Sequence, residues 1–425
     1  MNAPSLVSPP AIITTTADLT RVCQAFATAK HLAVDTEFMR ESTYYPQLCL
    51  IQLATPELAV AIDPLAPNIS LAPLTQLFAN PAITKVFHAA KQDLQIFFHL
   101  NGTLPTPIYD TQIAGMVCGL GDQVGYDKLV HSILEVTIDK TSRFTDWARR
   151  PLSPQQLKYA LADVVHLTRA YPILRERIAK AGREDWLREE MAELKDMKHY
   201  QTKPRDAWLR FKQKINKAEA LNRLRHLAAW REEVAQTRDM PRSWLLKDEA
   251  LLAIANLRPR NLTALGEIRG INSRAVKADG NAILAVLGRA EAEDKSLWPR
   301  PTRRRQKPPP QAAYDLLRVL LQHKAEALGI APRLLASTSD LEAMARRHHY
   351  QQNQQNNIGA NEAGENEETP PLALQGWRYE VFGKYALELL DGKIAMTLVD
   401  DATDGKRIAC VTHTKTTKTT KATKA

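Results

Sequence analysis

The run His-Leu-Ala-Val-Asp-Thr-Glu-Phe, residues 31–38, decides how the first half of this chain folds. Its three aliphatic residues suit a buried strand and come directly before the acidic ones. Because alternate residues of a strand point to one face, Asp35 and Glu37 can meet a single cation. Asp-x-Glu is short enough to arise by chance, and an exposed acidic pair is the alternative interpretation.

Two further β-rich segments, Leu48–Leu53 and Ala59–Ile62, follow this run closely. Tyr45-Pro46-Gln47 separates the first two strands, and Asp63-Pro64 forms a turn after the third. Such close spacing predicts an antiparallel meander that feeds a mixed sheet. Helical patterns alternate with the strands, so residues 10–200 are interpreted as α/β.

A third carboxylate, Asp93, follows a segment that looks like a strand end passing into a helix over Leu94–Leu100. Its position nominates it as a candidate site residue. The alternative is an aspartate in the first helical turn that stabilises the helix dipole.

The last acidic element opens with Ser153-Pro154-Gln155-Gln156, which is typical of a capped helix start with proline at the first helical position. Tyr159 and Asp163 follow with i, i+4 spacing and therefore share a helix face. A phenol and a carboxylate on one face can both reach one water molecule. A core tyrosine beside a surface aspartate is the alternative interpretation.

Four carboxylates and one phenol together indicate a metal-dependent nuclease. Oxygen-rich sites with room for water suit Mg²⁺, with Mn²⁺ able to substitute, and four carboxylates can hold two ions. The formal net charge of +10 favours polyanionic partners, although solubility alone accounts for such a balance. The sequence contains no Gly-x-x-x-x-Gly-Lys-Ser/Thr phosphate-binding loop, so it does not indicate a helicase.

The composition predicts a cytoplasmic protein with two or three domains and no membrane span. The chain has 425 residues, more than one ordinary domain needs. No apolar run approaches the roughly 18 residues of a membrane span, and no secretory signal is visible. Its four cysteines, Cys23, Cys49, Cys118 and Cys410, form no Cys-x-x-Cys pair, which argues against a zinc ribbon.

Residues 30–170 resemble the exonuclease domain of the DEDD superfamily, in the branch with tyrosine in the third motif, and more narrowly the ribonuclease D family. Residues 205–290 resemble the helical HRDC module that helicases and ribonuclease D share. The runs that carry the first resemblance are Asp35–Arg40, Thr43–Pro46, His88–Asp93, Tyr109–Gln112 and Trp147–Leu152.

The resemblance implies an α/β ribonuclease H-like exonuclease domain with a mixed sheet, followed by all-α HRDC-type domains. The expected order is an exonuclease domain (1–200), an HRDC domain (205–295), a basic proline-rich linker (296–310), a possible diverged second HRDC-like domain (311–350), a disordered linker (351–376), and a short apolar segment with a basic tail (377–425).

The resemblance also implies roles at the site. Asp35, Glu37 and Asp163 would ligate one metal, Asp35 would bridge to a second held by Asp93, and Tyr159 would orient the attacking water. Three neighbouring residues are candidates for substrate contacts, with structural roles as the alternative: Phe38, His88 and Gln92.

The expected reaction is removal of nucleoside 5′-monophosphates from RNA 3′ ends. The family expectation for the substrate is transfer RNA precursors with single-stranded 3′ ends, and no obligate protein partner is evident. A 3′→5′ DNA exonuclease and a catalytically silent RNA-binding scaffold are the alternatives. Phosphate contacts are expected from the basic residues of the helical module, interleaved with Trp208 and Phe211: Arg205, Arg210, Lys212, Lys214, Lys217, Arg223 and Arg225.

Overall fold

A computed structural model describes residues 12–138, 145–211, 215–300, 308–356, 370–401 and 405–412. These residues form two compact units. The first contains the described parts of Met1–Thr111, Ile133–Ile173 and Arg188–Arg304, and the second contains those of Gln112–Ser132, Leu174–Leu187 and Arg305–Ala425. Most of the predicted exonuclease domain and the predicted HRDC domain thus fall in one unit.

A six-stranded mixed sheet lies at the centre of the first unit, with the order β1-β4-β3-β2-β5-β6. β2 pairs antiparallel with β3, which pairs antiparallel with β4, and β2 pairs parallel with β5. The predicted meander and mixed sheet are therefore confirmed. The strands of this sheet are β1 (Ile12–Ile13), β2 (His31–Met39), β3 (Gln47–Ala54), β4 (Ala59–Ile62), β5 (Thr84–Phe87) and β6 (Ile108–Asp110).

Seventeen α-helices are described, together with short 3-10 segments at Met197–His199, Pro204–Phe211, Lys295–Leu297 and Leu372–Leu374. The α-helices are α1 (Thr16–Phe26), α2 (Ala72–Ala79), α3 (Lys91–Asn101), α4 (Thr111–Val117), α5 (Tyr126–Leu134), α6 (Pro154–Lys180), α7 (Glu184–Glu193), α8 (Ala218–Thr237), α9 (Arg242–Leu245), α10 (Asp248–Leu257), α11 (Leu262–Gly266), α12 (Ser273–Ala292), α13 (Gln311–Leu328), α14 (Pro332–Leu335), α15 (Thr338–Asn356), α16 (Gly376–Arg378) and α17 (Lys384–Leu390).

The two faces of the sheet differ in chemistry, because neighbouring residues of a strand alternate between faces. One face buries large aliphatic residues such as Val34 and Ile51 in a core shared with α1, α2 and α3. Full burial of each such side chain stabilises the fold by roughly 1.5–3 kcal/mol. The other face carries Ala33, Asp35 and Gln52, so the sheet leaves room there for polar groups.

Helix α6 packs against this second face. The ring of Tyr171 lies 4.8 Å from the ring of His31 on β2 and 4.8 Å from the ring of Tyr109 on β6. At the helix start, Ser153 Oγ accepts from Gln156 N at 3.2 Å and Gln156 Oε1 accepts from Ser153 N at 2.9 Å. The predicted cap is present, and it fixes where α6 begins.

The helical module, residues 204–297, has its own apolar core, built from the 3-10 segment Pro204–Phe211 and from α8, α10, α11 and α12. Two prolines lie between helices of the module: Pro241 precedes α9, and Pro259 follows α10. Gly270, between α11 and α12, has φ of +90°, a conformation that strains any residue with a side chain.

In the second unit, the two longer helices α13 and α15 are separated by the four-residue helix α14. The helical module has the same succession, in which the four-residue helix α9 separates α8 from α10. This order suits the predicted second HRDC-like domain, which stays a prediction. The disordered linker predicted at 351–376 needs correction. α15 continues to Asn356, a 3-10 segment occupies Leu372–Leu374, and residues 357–369 lie outside the described residues.

The chain after residue 376, predicted as a short apolar segment and a basic tail, forms helices and a pair of strands. A π-helical turn, Tyr379–Gly383, joins α16 to α17, and β7 (Ile394–Asp401) pairs antiparallel with β8 (Gly405–Thr412). The ring of Trp377 stacks on that of Trp186 at 4.3 Å. The predicted basic tail from 413 and residues 301–307 of the predicted linker lie outside the described residues.

None of the helices within the described ranges combines the length and the hydropathy that a membrane span requires.

Candidate active site

Three carboxylates from two elements of the first unit converge at one point. Asp35 and Glu37 lie at alternate positions of β2, and Asp163 lies on α6. One carboxylate oxygen of each lies within 4.8 Å of one from each of the others, and the three side chains are partly exposed. The alternation of β2 and the packing of α6 on the same face account for this convergence.

Asp93 lies in the first turn of α3, and a hydrogen bond from Thr36 connects it to β2. The Thr36 hydroxyl donates a hydrogen bond to the buried carboxylate of Asp93. The turn before α3 is held by Asp110, whose carboxylate accepts from Ala89 N at 3.1 Å and from Ala90 N at 2.8 Å. Because Ala89 has φ of +58°, these bonds stabilise a turn that the local sequence disfavours.

The carboxyl groups perturb one another strongly. Burial, and then the charge of Asp163, raise the pKa of Asp35 well above its ordinary value. Burial and the charges of Asp35, Asp163 and Asp93 raise the pKa of Glu37 to about 9. Burial and the charge of Asp35 likewise raise the pKa of Asp93. A cluster of oxygen donors that repel one another fits a hard divalent cation, because the cation neutralises the charges.

Tyr159 lies one helical turn before Asp163 on α6, so the two side chains share a face. Its ring centre is 6.2 Å from that of the buried Trp147. The segment that holds Trp147 is anchored by Arg150, whose Nε and Nη2 donate to the Asp63 carboxylate at 2.7 and 2.6 Å. Arg150 therefore links the start of α6 to the sheet.

The predicted substrate contacts have the following surroundings. Phe38 follows a β-bulge that shifts the register after Glu37, and it packs against the apolar core while remaining partly exposed. The strand continues one residue beyond Phe38, to Met39. His88 Nδ1 lies 3.0 Å from Thr111 Oγ1. Gln92 is exposed in the first turn of α3.

Several residues beside the site gave no functional signal in the sequence. Thr36 binds Asp93, and Asp110 shapes the turn before it. Gln52 is fully buried opposite Asp35 in the β2–β3 register. Thr36 and Asp110 lie within the runs Asp35–Arg40 and Tyr109–Gln112 that carry the family resemblance, but the resemblance did not indicate their roles.

The arginines of the helical module are engaged within the protein. Arg210 Nη2 lies 2.8 Å from Asp248 Oδ1, Arg223 Nε donates to Ala255 O at 2.7 Å, and Arg225 forms an ion pair with Glu293. Trp208 packs against the core and Phe211 is buried, whereas Arg205 and Lys217 are exposed, and Lys212 and Lys214 lie outside the described residues. The expected phosphate contacts of the three arginines would therefore compete with intramolecular bonds.

Two family descriptions match the chain in the order of its sequence. The 3′→5′ exonuclease family matches residues 10–179, and the HRDC domain family matches residues 220–287. The first range contains the acidic cluster, and the second begins within α8 and ends within α12.

Curated relatives are similar over nearly the whole chain. A ribonuclease D of Jannaschia sp. (strain CCS1) is 43% identical over 408 residues, which cover 95% of this chain and 99% of the relative. A ribonuclease D of Gluconacetobacter diazotrophicus is 44% identical over 401 residues, which cover 94% and 97%. Shared identity of this extent reaches well beyond the acidic motifs.

Solved structures extend the likeness to the fold. Escherichia coli RNase D, described as an exoribonuclease involved in structured RNA processing, matches with a TM-score of 0.77 at 30% identity and covers 90% of this chain and 99% of that one. The catalytic core of RRP6 from Trypanosoma brucei matches in fold with a TM-score of 0.52 at 21% identity, covering 68% of this chain and 83% of that core.

Proposed function

The chain belongs to the ribonuclease D family, and from this premise we propose that its 3′→5′ exoribonuclease activity is carried by Asp35, Glu37, Asp93, Tyr159 and Asp163. The observation that carries the assignment is the approach of three carboxylates from β2 and α6 to within 4.8 Å of one another. The products are nucleoside 5′-monophosphates released from the 3′ end of RNA.

The carboxylates are the proposed metal ligands. Asp35, Glu37 and Asp163 hold one divalent ion, and Asp93, held by Thr36, helps Asp35 to hold a second. The donors are all oxygens, which favours Mg²⁺, with Mn²⁺ able to replace it. When bound, the two ions lower the pKa of the attacking water and stabilise the charge that develops on the leaving 3′ oxygen.

Tyr159 has the role of orienting the attacking water. Phenols are weak general bases at neutral pH because their ordinary pKa is about 10, so the proposed role is to hold the water by a hydrogen bond. Its place one turn before Asp163 supports this role, since both side chains face the same part of the site. The ring of the buried Trp147 lies beside that of Tyr159, with ring centres 6.2 Å apart.

Three residues around the cluster are proposed to contact the RNA end. Phe38 stacks on the terminal base through its exposed part, while Gln92 and His88 contact the scissile or adjacent phosphate. Exposure of Gln92 beside Asp93 supports its role. His88 Nδ1 lies 3.0 Å from Thr111 Oγ1, so a contact between His88 and a phosphate requires the imidazole ring to change its partner.

The proposed substrates are transfer RNA precursors with single-stranded 3′ ends. The HRDC-type module (205–295) supplies sequence-independent phosphate contacts, with the exposed Arg205 and Lys217 as the available side chains of the predicted set that the structure describes. The proposal includes the order of an exonuclease domain (1–200), an HRDC domain (205–295), a basic linker (296–310) and a second HRDC-like domain (311–350), and a cytoplasmic location. The free thiols of all four cysteines are compatible with a reducing compartment.

A single comparison tests the proposal against its alternatives. The purified chain is incubated with Mg²⁺ on 5′-labelled single-stranded RNA, on DNA of the same sequence, and on RNA with EDTA. Stepwise shortening of the RNA with release of 5′-monophosphates, absent with EDTA, is expected. Faster shortening of DNA would make it a DNA exonuclease, and RNA binding without shortening would make it a silent scaffold.

A further inference from the structure

The loop that leaves the catalytic strand is bound to the helical module through one tyrosine. Tyr44, in the β2–β3 loop, donates its hydroxyl proton to the carboxylate of Glu232 on α8. The same hydroxyl accepts from Arg242 Nη2 at 2.8 Å and from Gln236 Nε2 at 3.1 Å. The guanidinium carbon of Arg242 lies 4.7 Å from the centre of the Tyr44 ring, within cation–π distance.

The backbone of the loop is held to the module by a second set of bonds. Asp239, just after α8, accepts from Tyr44 N and Tyr45 N, both at 3.0 Å to Oδ1. Tyr45 in turn stacks on His99 of α3, with ring centres 3.7 Å apart and planes inclined by 11°. The loop is therefore fixed between the module and α3, the helix that carries Asp93.

The carboxylate of Glu232 is buried in this contact and paired with Arg242. The Glu232 side chain is 1% exposed, and Arg242 Nε and Nη2 each donate to it at 2.5 Å. Burial alone would raise the pKa of Glu232, but hydrogen bonds from Arg242 and Tyr44 hold it below its ordinary value. A buried charge pair costs desolvation and often adds little net stability, whereas it fixes geometry strictly.

We infer that Tyr44, Glu232 and Arg242 form a clamp that sets the helical module at a fixed distance from Asp35 and Glu37, and that they are positioning residues for extended RNA. Tyr44 follows Glu37 in the same strand-and-loop segment, so the clamp joins the module to the segment that carries the site. RNA bound to a fixed module presents its 3′ end at a high effective concentration. A dinucleotide that occupies only the acidic site would gain nothing from the clamp.

This inference rests on the proposed exoribonuclease function and is tested by substrate length. In Tyr44→Phe and Arg242→Met, we expect KM for a single-stranded RNA of about 20 nucleotides to rise about tenfold or more, with kcat little changed. For a dinucleotide, kcat/KM should stay within about twofold of the wild type. Arg258→Met is the matched control, because Arg258 pairs with Glu291 inside the module and does not contact the loop.

Two further readouts separate positioning from simple loss of stability. Exchange of the Tyr44 and Tyr45 amide hydrogens should accelerate in Arg242→Met, while the catalytic strand keeps its protection. Glu232→Gln, which keeps an acceptor for Tyr44, should retain more long-RNA activity than Glu232→Ala. If an Arg242→Met chain proves unfolded, the conservative Tyr44→Phe and Glu232→Gln variants decide the matter by the same length comparison.

Two results would overturn the clamp. One is an equal loss of kcat/KM on the dinucleotide and on the long RNA. The other is an unchanged KM for the long RNA in both Tyr44→Phe and Arg242→Met. A wild-type chain that degrades neither RNA would instead refute the proposed function. The two failures are therefore distinguishable.

Discussion

Replacement of Asp163 by asparagine should stabilise the metal-free protein while removing its response to Mg²⁺. The Asp163 carboxylate has an oxygen within 4.8 Å of one from Asp35 and one from Glu37. Two full charges at about 4.8 Å repel by about 3.5 kcal/mol at an effective dielectric constant of about 20. Because burial and repulsion raise the pKa of Glu37 to about 9, Glu37 is partly protonated at pH 9, and we expect only about 1–3 kcal/mol of this repulsion to be recovered there.

Urea denaturation at pH 9, with EDTA and with saturating Mg²⁺, measures both effects. In EDTA, Asp163→Asn should unfold at higher urea than the wild type, and the gain should shrink at pH 6, where Glu37 holds a proton because its pKa is raised to about 9. With Mg²⁺ the order should reverse, because binding to the native state stabilises only a protein that retains its ligands. Glu57→Gln, at an exposed position of the same domain, is the control.

The reasoning would be refuted by an Asp163→Asn protein that is as stable as, or less stable than, the wild type in EDTA at pH 9. Such a result would mean that Asp163 contributes favourable contacts that outweigh repulsion in the cluster. A full Mg²⁺ response in the variant would remove Asp163 from the set of ligands.

Three further predictions follow from the site. The pKa of Glu37 is raised from 4.5 to about 9, so the native state holds a proton that the unfolded chain releases. The free energy of unfolding of the metal-free protein should therefore fall as the pH rises between these two values. An increase in the free energy of unfolding over this range would contradict the shift. Tyr159→Phe should lower kcat at least about tenfold with an unchanged melting temperature; a wild-type kcat would remove its role. Arg150→Met should lower the free energy of unfolding, measured by urea denaturation, by about 3 kcal/mol, because Asp63 then stays buried without Arg150. An unchanged free energy of unfolding would refute the role of Arg150 in linking the start of α6 to the sheet.

Local sequence patterns were sufficient to predict the strand and the helix that carry most of the site residues. The alternation in β2 places Asp35 and Glu37 on one face, and the capping pattern at Ser153 sets the start of α6 and the phase of Tyr159 and Asp163. Each of these features depends on neighbouring residues in the sequence. They were therefore predictable without knowledge of the fold.

Contacts between distant residues could not be predicted in this way. Thr36 meets Asp93 and Arg150 meets Asp63 only after the sheet and α6 are assembled. The same reason explains why arginines of the module were expected at RNA phosphates: Arg210 pairs with Asp248, and a charge pattern alone does not reveal such a partner. The β7–β8 hairpin was missed because neither strand shows a clear alternation of polar and apolar residues.

The central claim is that carboxylates on β2 and α6 perform metal-dependent removal of nucleotides from RNA 3′ ends. Its most direct test compares the wild type with Asp35→Ala on 5′-labelled RNA in Mg²⁺, with folding checked by circular dichroism. We expect the wild type to give a ladder of shortened RNA and free 5′-monophosphates, and folded Asp35→Ala to leave the RNA intact. Undiminished shortening by folded Asp35→Ala would contradict the assignment of the site.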